Sequence, residues 1–305
     1  MIREIVKDDI PRIRALLQKV LGVQDYAHLV RMGGLTNRSY RVTLQDGREF
    51  VARIPGEGTE EMIVRGDERR STELASRLGV DARLLYFSED GEKLTEYIPG
   101  ADTMSPEKLR EPERIRQMAE LFRRIHNSGT DTGVPFEVFD MAAGYEEIIR
   151  KNNVYMYEDY ETVKQQVMAI KTEVDGMIEQ NRVTCHNDPL CENWVVDRDN
   201  RMYLIDWEYA GMNSYMWDLS DVSLEAVYSE KEEMMLMEAY FDRTPTDAER
   251  KHFMAEKIYV DFLWSLWAKT RVPFDGQPME DWAKERYDRM KENISRYKRE
   301  GGTAL

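Results

Sequence analysis

Residues 185–193 read Cys185-His186-Asn187-Asp188-Pro189-Leu190-Cys191-Glu192-Asn193, and residues 204–208 read Leu204-Ile205-Asp206-Trp207-Glu208. The spacing is His-x-Asp-x4-Asn, with a second Asp thirteen residues after the Asn. A loop Asp placed like Asp188 accepts the proton of a hydroxyl nucleophile. An Asn five residues on turns back to ligate Mg2+, and an Asp at the end of the next hairpin bridges that metal to nucleotide phosphates. Pro189 stiffens the loop. Each residue alone also has a plain structural reading: Asp188 and Asn193 as turn residues, Asp206 as a strand end. The ordered set, set among short strands at 182–185, 194–196 and 202–205, is what points to chemistry.

Outward from this segment the chain divides in two. Before it, Tyr40, Val42 and Leu44 alternate with polar residues, Asp46-Gly47 is a hairpin turn signal, and 50–54 is the returning strand. Strands at 82–87 and 93–98 flank the turn Glu89-Asp90-Gly91, and helical spacing marks 65–78 and 8–21. Pro99-Gly100 then breaks the chain. Helical periods dominate after it, over roughly 112–127, 141–152, 158–179, 214–229, 231–242, 247–270 and 278–298. The expectation is an α+β chain of two lobes. Residues 1–99 form a small antiparallel-sheet lobe with an extra N-terminal helix, and residues 100–305 form a larger helical lobe. Proteins built this way take ligands in the cleft between lobes.

Composition narrows the partners. The 305 residues carry a net charge of −15, which argues against nucleic-acid binding and suits a small cationic substrate. No apolar run reaches the ~20 residues of a membrane span, and the first residues lack the apolar stretch of a signal peptide, so the reading is cytoplasmic. Two cysteines, Cys185 and Cys191, make neither a zinc site nor a disulfide framework. Nothing in the chain indicates an oligomeric state.

In an acidic protein a nucleotide site must supply its own positive charge. Gly33-Gly34-Leu35-Thr36-Asn37-Arg38-Ser39 precedes a strand; its glycines let backbone approach phosphates, and Thr36, Asn37 and Ser39 donate hydrogen bonds. Arg53, on the following strand, offers a guanidinium that holds two phosphate oxygens in fixed geometry. On the acceptor side, Trp264 and Trp267 stand three residues apart on one helix face, and Trp282 follows later. Such a stripe is usually core, but a quaternary ammonium is also recognised by aromatic faces.

The catalytic-loop segment resembles that of the kinase-like phosphotransferases, the choline/ethanolamine kinases and aminoglycoside phosphotransferases. His186 stands where protein kinases also place His. Ile205-Asp206-Trp207-Glu208-Tyr209-Ala210-Gly211 and Trp217-Asp218-Leu219 resemble choline kinases in particular, as do the Gly-Gly loop, Arg53 in place of Lys, and the Phe262-Leu263-Trp264-Ser265-Leu266-Trp267 run. The resemblance runs from about Leu29 to Tyr297 and implies a protein-kinase-like bilobal fold. It implies an acidic partner for Arg53 at Glu68, with Glu73 the second choice, and a hinge at Glu96-Tyr97-Ile98 that meets adenine. It implies a structural role for His126.

The activity so implied is ATP- and Mg2+-dependent phosphorylation of choline. Asp188 is the base beside His186, Asn193 and Asp206 are the metal ligands, and Gly33, Gly34, Thr36, Asn37, Ser39, Arg53, Glu68, Glu96 and Ile98 are the nucleotide residues. Glu208, Glu225, Tyr228, Trp264, Trp267 and Trp282 line the acceptor pocket. Tyr287 and Trp282 replace rings of other identity there, which bears on pocket size. Ethanolamine kinase and aminoglycoside phosphotransferase are the alternatives within the enzyme class, disfavoured by the paired Trp residues. A non-catalytic nucleotide-binding protein is the remote alternative, disfavoured by the complete catalytic set.

Overall fold

The computed structural model describes residues 4–32, 37–56, 64–177 and 181–300. Gly33, Gly34 and Thr36 of the expected phosphate loop lie outside them. In chain order the first elements are α1 (Asp9–Leu21), β1 (His28–Arg31), β2 (Asn37–Thr43), β3 (Glu49–Pro55), α2 (Arg65–Leu78), β4 (Leu84–Phe87), β5 (Lys93–Glu96) and β6 (Asp102–Thr103). Next come α3 (Pro106–Leu109), α4 (Pro112–His126), α5 (Val138–Lys151), α6 (Tyr160–Asp175), β7 (Arg182–Cys185), β8 (Trp194–Val196), β9 (Met202–Leu204) and β10 (Gly211–Ser214). The chain continues through α7 (Tyr215–Glu225), α8 (Glu230–Phe241), α9 (Asp247–Asp275) and α10 (Gln277–Arg299).

These elements form two compact units. The first takes Met1–Ser105, Thr132–Val134 and Cys191–Ala210; the second takes Pro106–Asp131, Pro135–Leu190 and Gly211–Leu305. A cut at residue 99 follows the chain once, whereas β8 pairs with β6 and β9, so residues 191–210 pack with the first unit.

In the first unit an antiparallel sheet runs β1-β2-β3-β5-β4. The period-2 alternation of β2 and β3 turns Tyr40, Val42, Ala52 and Ile54 to one face, where Ile13, Leu16 and Leu17 of α1 bury against them. Each such aliphatic side chain contributes about 1.5–3 kcal/mol. The helix stops at Gly22, whose φ of 73° lets its N–H return to the Gln18 carbonyl at 3.1 Å. α2 covers the residues that its spacing predicts. β1 gives no sequence signal because none of its four residues is fully buried, although Leu29 packs against the core.

The second unit is helical, with β7 and β10 as a two-stranded ribbon. Its centre is α9, 29 residues and therefore about 44 Å long, packed by α5, α6, α7 and α10. It opens with a capping box, in which Thr246 and Glu249 satisfy each other's backbone N–H groups. Most of its residues from His252 to Thr270 are buried, so its charges need partners. Lys257 pairs with Glu233, Asp261 with Arg286 and Arg289, and Lys269 with Glu280. The helix expected over 214–229 is shorter: α7 ends at Glu225, and Val227 turns left-handed with φ of 53°.

Candidate active site

In the first unit the register of β2 and β3 sets Ser39 opposite Arg53. Arg53 is buried, pairs with Glu68 from the first turn of α2, and donates to the Gly91 carbonyl at 2.9 Å. Glu68, not Glu73, is therefore its partner; Glu73 pairs with Arg69 on the exposed helix face. Arg65 adds a second hydrogen bond to Glu68 at 2.7 Å. Burial works against the Glu68 charge, but the Arg53 guanidinium prevails and holds its carboxyl below the usual range.

Asp206 follows β9 with φ of 70°, a conformation that Asp and Asn tolerate better than most residues. Its Oδ1 lies 3.8 Å from Arg53 Nη1 and, though buried, accepts no hydrogen bond among the described residues. Glu208 is two residues on, accepts from Asn37 Nδ2 at 2.9 Å, and lies 4.0 Å from Arg65. Burial, with Asp206 and Glu68 close by, pushes Glu208 up to about 7. Oxygens of Glu68, Asp206 and Glu208 all lie within 4.8 Å of one another. Glu208, grouped above with the acceptor residues, thus stands in this carboxylate cluster. Asn193 ends a short 3-10 turn, Cys191–Asn193, and its carbonyl accepts from the Ile205 N–H at 2.9 Å, which ties it to the strand leading to Asp206. Hard oxygen donors around a buried carboxylate oxygen that accepts no hydrogen bond among the described residues suit Mg2+.

Of the expected hinge, Glu96 ends β5 with its side chain paired to Arg83, and Ile98 packs with Ala82 and Val195.

In the second unit the loop that begins at His186 leaves β7 and is held from several sides. The N–H groups of His186 and Asn187 both donate to Asp218, each at 2.8 Å. Asn187, at φ of 67°, accepts at its carbonyl from the Trp217 indole at 3.0 Å and at its side chain from Asn213 at 3.0 Å. Asp188 is half-buried at the head of this loop; its N–H points to His186 Nδ1 at 3.3 Å, and its carbonyl accepts from Leu190 at 2.8 Å. His126 bridges Asp218 and the Tyr240 hydroxyl, at 3.1 and 2.9 Å. Asp218, part of the Trp217-Asp218-Leu219 resemblance, has no role assigned from the sequence. The one signal was a carboxylate set in the apolar run Tyr215-Met216-Trp217-Asp218-Leu219.

Trp264, Trp267 and Trp282 form an edge-to-face row, with centroids 6.3 and 5.9 Å apart. Arg286 lies over the Trp282 ring at 4.1 Å, pairs with Glu225, and reaches Asp261 at 3.3 Å. Arg289 takes the other side of Asp261 at 2.6 Å. Asp221 is fully buried, and burial, then the nearby Glu225 charge, pushes its carboxyl well above the usual range. Tyr228 donates its hydroxyl to the Leu109 carbonyl at 2.8 Å. Arg286 and Asp221 had no role in the sequence reading.

The sequence profile of choline/ethanolamine kinase matches residues 30–268. A crystal structure of a choline/ethanolamine kinase family protein from Mesorhizobium loti is 33% identical, with a TM-score of 0.83, covering 94% of this chain and 97% of that one. The choline kinase LicA of Streptococcus pneumoniae is 29% identical, with a TM-score of 0.81, covering 94% and 99%. Protein LicA of Haemophilus influenzae is 27% identical over 262 residues, 83% of this chain and 96% of its own.

Proposed function

This chain belongs to the choline/ethanolamine kinase family, and we propose that it transfers the γ-phosphoryl group of ATP to the hydroxyl of choline, giving phosphocholine and ADP. Asp188 orients that hydroxyl and accepts its proton as the oxygen attacks phosphorus in line. Arg53, anchored by Glu68, holds phosphate oxygens together with Ser39, Asn37 and the loop at 33–36. The adenine meets backbone near Glu96 and Ile98. Asn193 and Asp206 would hold Mg2+, which would supply counter-charge to the phosphoryl oxygens.

The acceptor ammonium rests against the tryptophan row. Glu225 and Asp261 are engaged by Arg286 and Arg289, and Arg286 also covers one face of Trp282, so the aromatic surface available to the ammonium comes from Trp264 and Trp267. That favours choline, which donates no hydrogen bond from nitrogen, over ethanolamine, whose ammonium donates three.

One observation carries the reading: the buried Asp206 Oδ1, which accepts no hydrogen bond among the described residues, beside Glu68 and Glu208 and facing Arg53. Three carboxylates here share two guanidinium groups, Arg53 and Arg65, which leaves a place for a further cation. Asp206→Asn keeps size and tolerates the left-handed backbone. It should leave the fold intact, weaken MgATP binding in calorimetry, and lower turnover by at least about 10²-fold. Retention of both MgATP affinity and turnover would remove Asp206 from the metal site.

A further inference from the structure

We infer that α1 braces the phosphate-holding strands from behind and that Asp9 is the positioning residue through which it acts. This deepens the reading in which Arg53 and Ser39 meet ATP phosphates, and it rests on that reading.

Asp9 sits in the first turn of α1 and is 1% exposed. Its carboxylate accepts both Nε and Nη2 of Arg38, at 2.6 and 2.8 Å, and the Tyr40 hydroxyl at 2.5 Å. Bidentate, charge-assisted contacts of this kind fix geometry as well as add energy. Arg38 and Tyr40 flank Ser39, whose register partner across the sheet is Arg53. Strand alternation turns Arg38 and Tyr40 to the α1 face and Ser39 to the other, with Asn37, which donates to Glu208.

A second arm of α1 reaches the other neighbour of the same guanidinium. Arg12 pairs with Glu92 at 2.8 Å, one residue from Gly91, whose carbonyl accepts from Arg53. The apolar contacts of Ile13, Leu16 and Leu17 already dock the helix. The buried carboxylate is not needed for docking; its three donors instead set where β2 stands. A shift of a fraction of an ångström there moves Ser39 against Arg53.

The test is the KM split of Asp9→Asn in the full-length chain, with melting temperature measured alongside. The KM for ATP should rise about three- to tenfold while that for choline stays within about twofold. A folded Asp9→Asn protein with lower melting temperature and unchanged ATP KM overturns the inference, leaving α1 a purely structural element. Tyr40→Phe, which removes one hydrogen bond from the same carboxylate and keeps the ring, carries the test if Asp9→Asn fails to fold. Its ATP KM should rise about twofold, and an unchanged value overturns the brace. Arg53→Met separates the two levels. If it leaves ATP KM unchanged, the phosphate reading fails and the inference with it; if it raises ATP KM while both brace variants do not, only the brace fails.

Discussion

Asp218 accepts two consecutive backbone N–H groups from a protein interior, and that is why Asp188, the next residue, has a defined place. A buried carboxylate persists where donors surround it, and His126 supplies a further contact. Among side chains, the tryptophan row carries the acceptor reading. Trp267 is half-buried between Trp264 and Trp282, so truncating it removes a ring from both. Trp267→Leu should raise the choline KM roughly two- to thirtyfold, the equivalent of about 0.5–2 kcal/mol per lost ring. ATP KM should hold, and the ratio of kcat/KM for choline over ethanolamine should fall. A drop in melting temperature with that ratio unchanged would make the row a core stripe.

Helix ends show how local chemistry is written in some places and not in others. Ser229 and Glu232 open α8, and Thr246 and Glu249 open α9, each with a capping box. The Arg243 guanidinium beside Glu249, with Thr246 donating as well, holds that carboxyl down at about 2. A depressed pKa contributes stability above the unfolded value, lost as pH falls through the folded one. Urea unfolding should therefore find Glu249→Gln less stable than the parent at pH 7, with the gap closing between about pH 4.5 and 2. A gap that persists at pH 2 would remove the charge from the account.

The end of α7 was not legible, because no Gly or Pro stops it. Instead Val227, 65% exposed, takes the left-handed position, with the Tyr228 N–H on the Ser223 carbonyl at 2.9 Å. A β-branched residue is strained there and buries little, so Val227→Gly should stabilise by about 0.5–1 kcal/mol in the same assay. Destabilisation would mean that the left-handed turn at Val227 carries no strain that Gly relieves.

At the scale of the molecule, what could be read in the sequence was what lies close in sequence: the loop from His186 to Asn193, the following Asp206, the helix at 65–78 with Glu68 inside it. What could not be read is paired across distance. Asp9 finds Arg38 29 residues away, Asp218 finds His186 at 32, and Glu225 finds Arg286 at 61. A single charged residue in a sequence does not name a partner so far off. β6, with two residues, likewise gave no sign that it would draw residues 191–210 into the first unit. Among the described residues no helix is long and apolar enough to cross a membrane.

The central claim is phosphoryl transfer to choline, and ADP release measured with MgATP across choline, ethanolamine, thiamine and kanamycin tests it most directly. Acceptor-dependent release is expected with choline at a kcat/KM at least about tenfold above ethanolamine, none above background with kanamycin, and a loss of roughly 10²–10⁴-fold in a folded Asp188→Asn variant. Faster turnover of kanamycin than of choline, no acceptor-dependent release at all, or near-normal turnover by Asp188→Asn would contradict it.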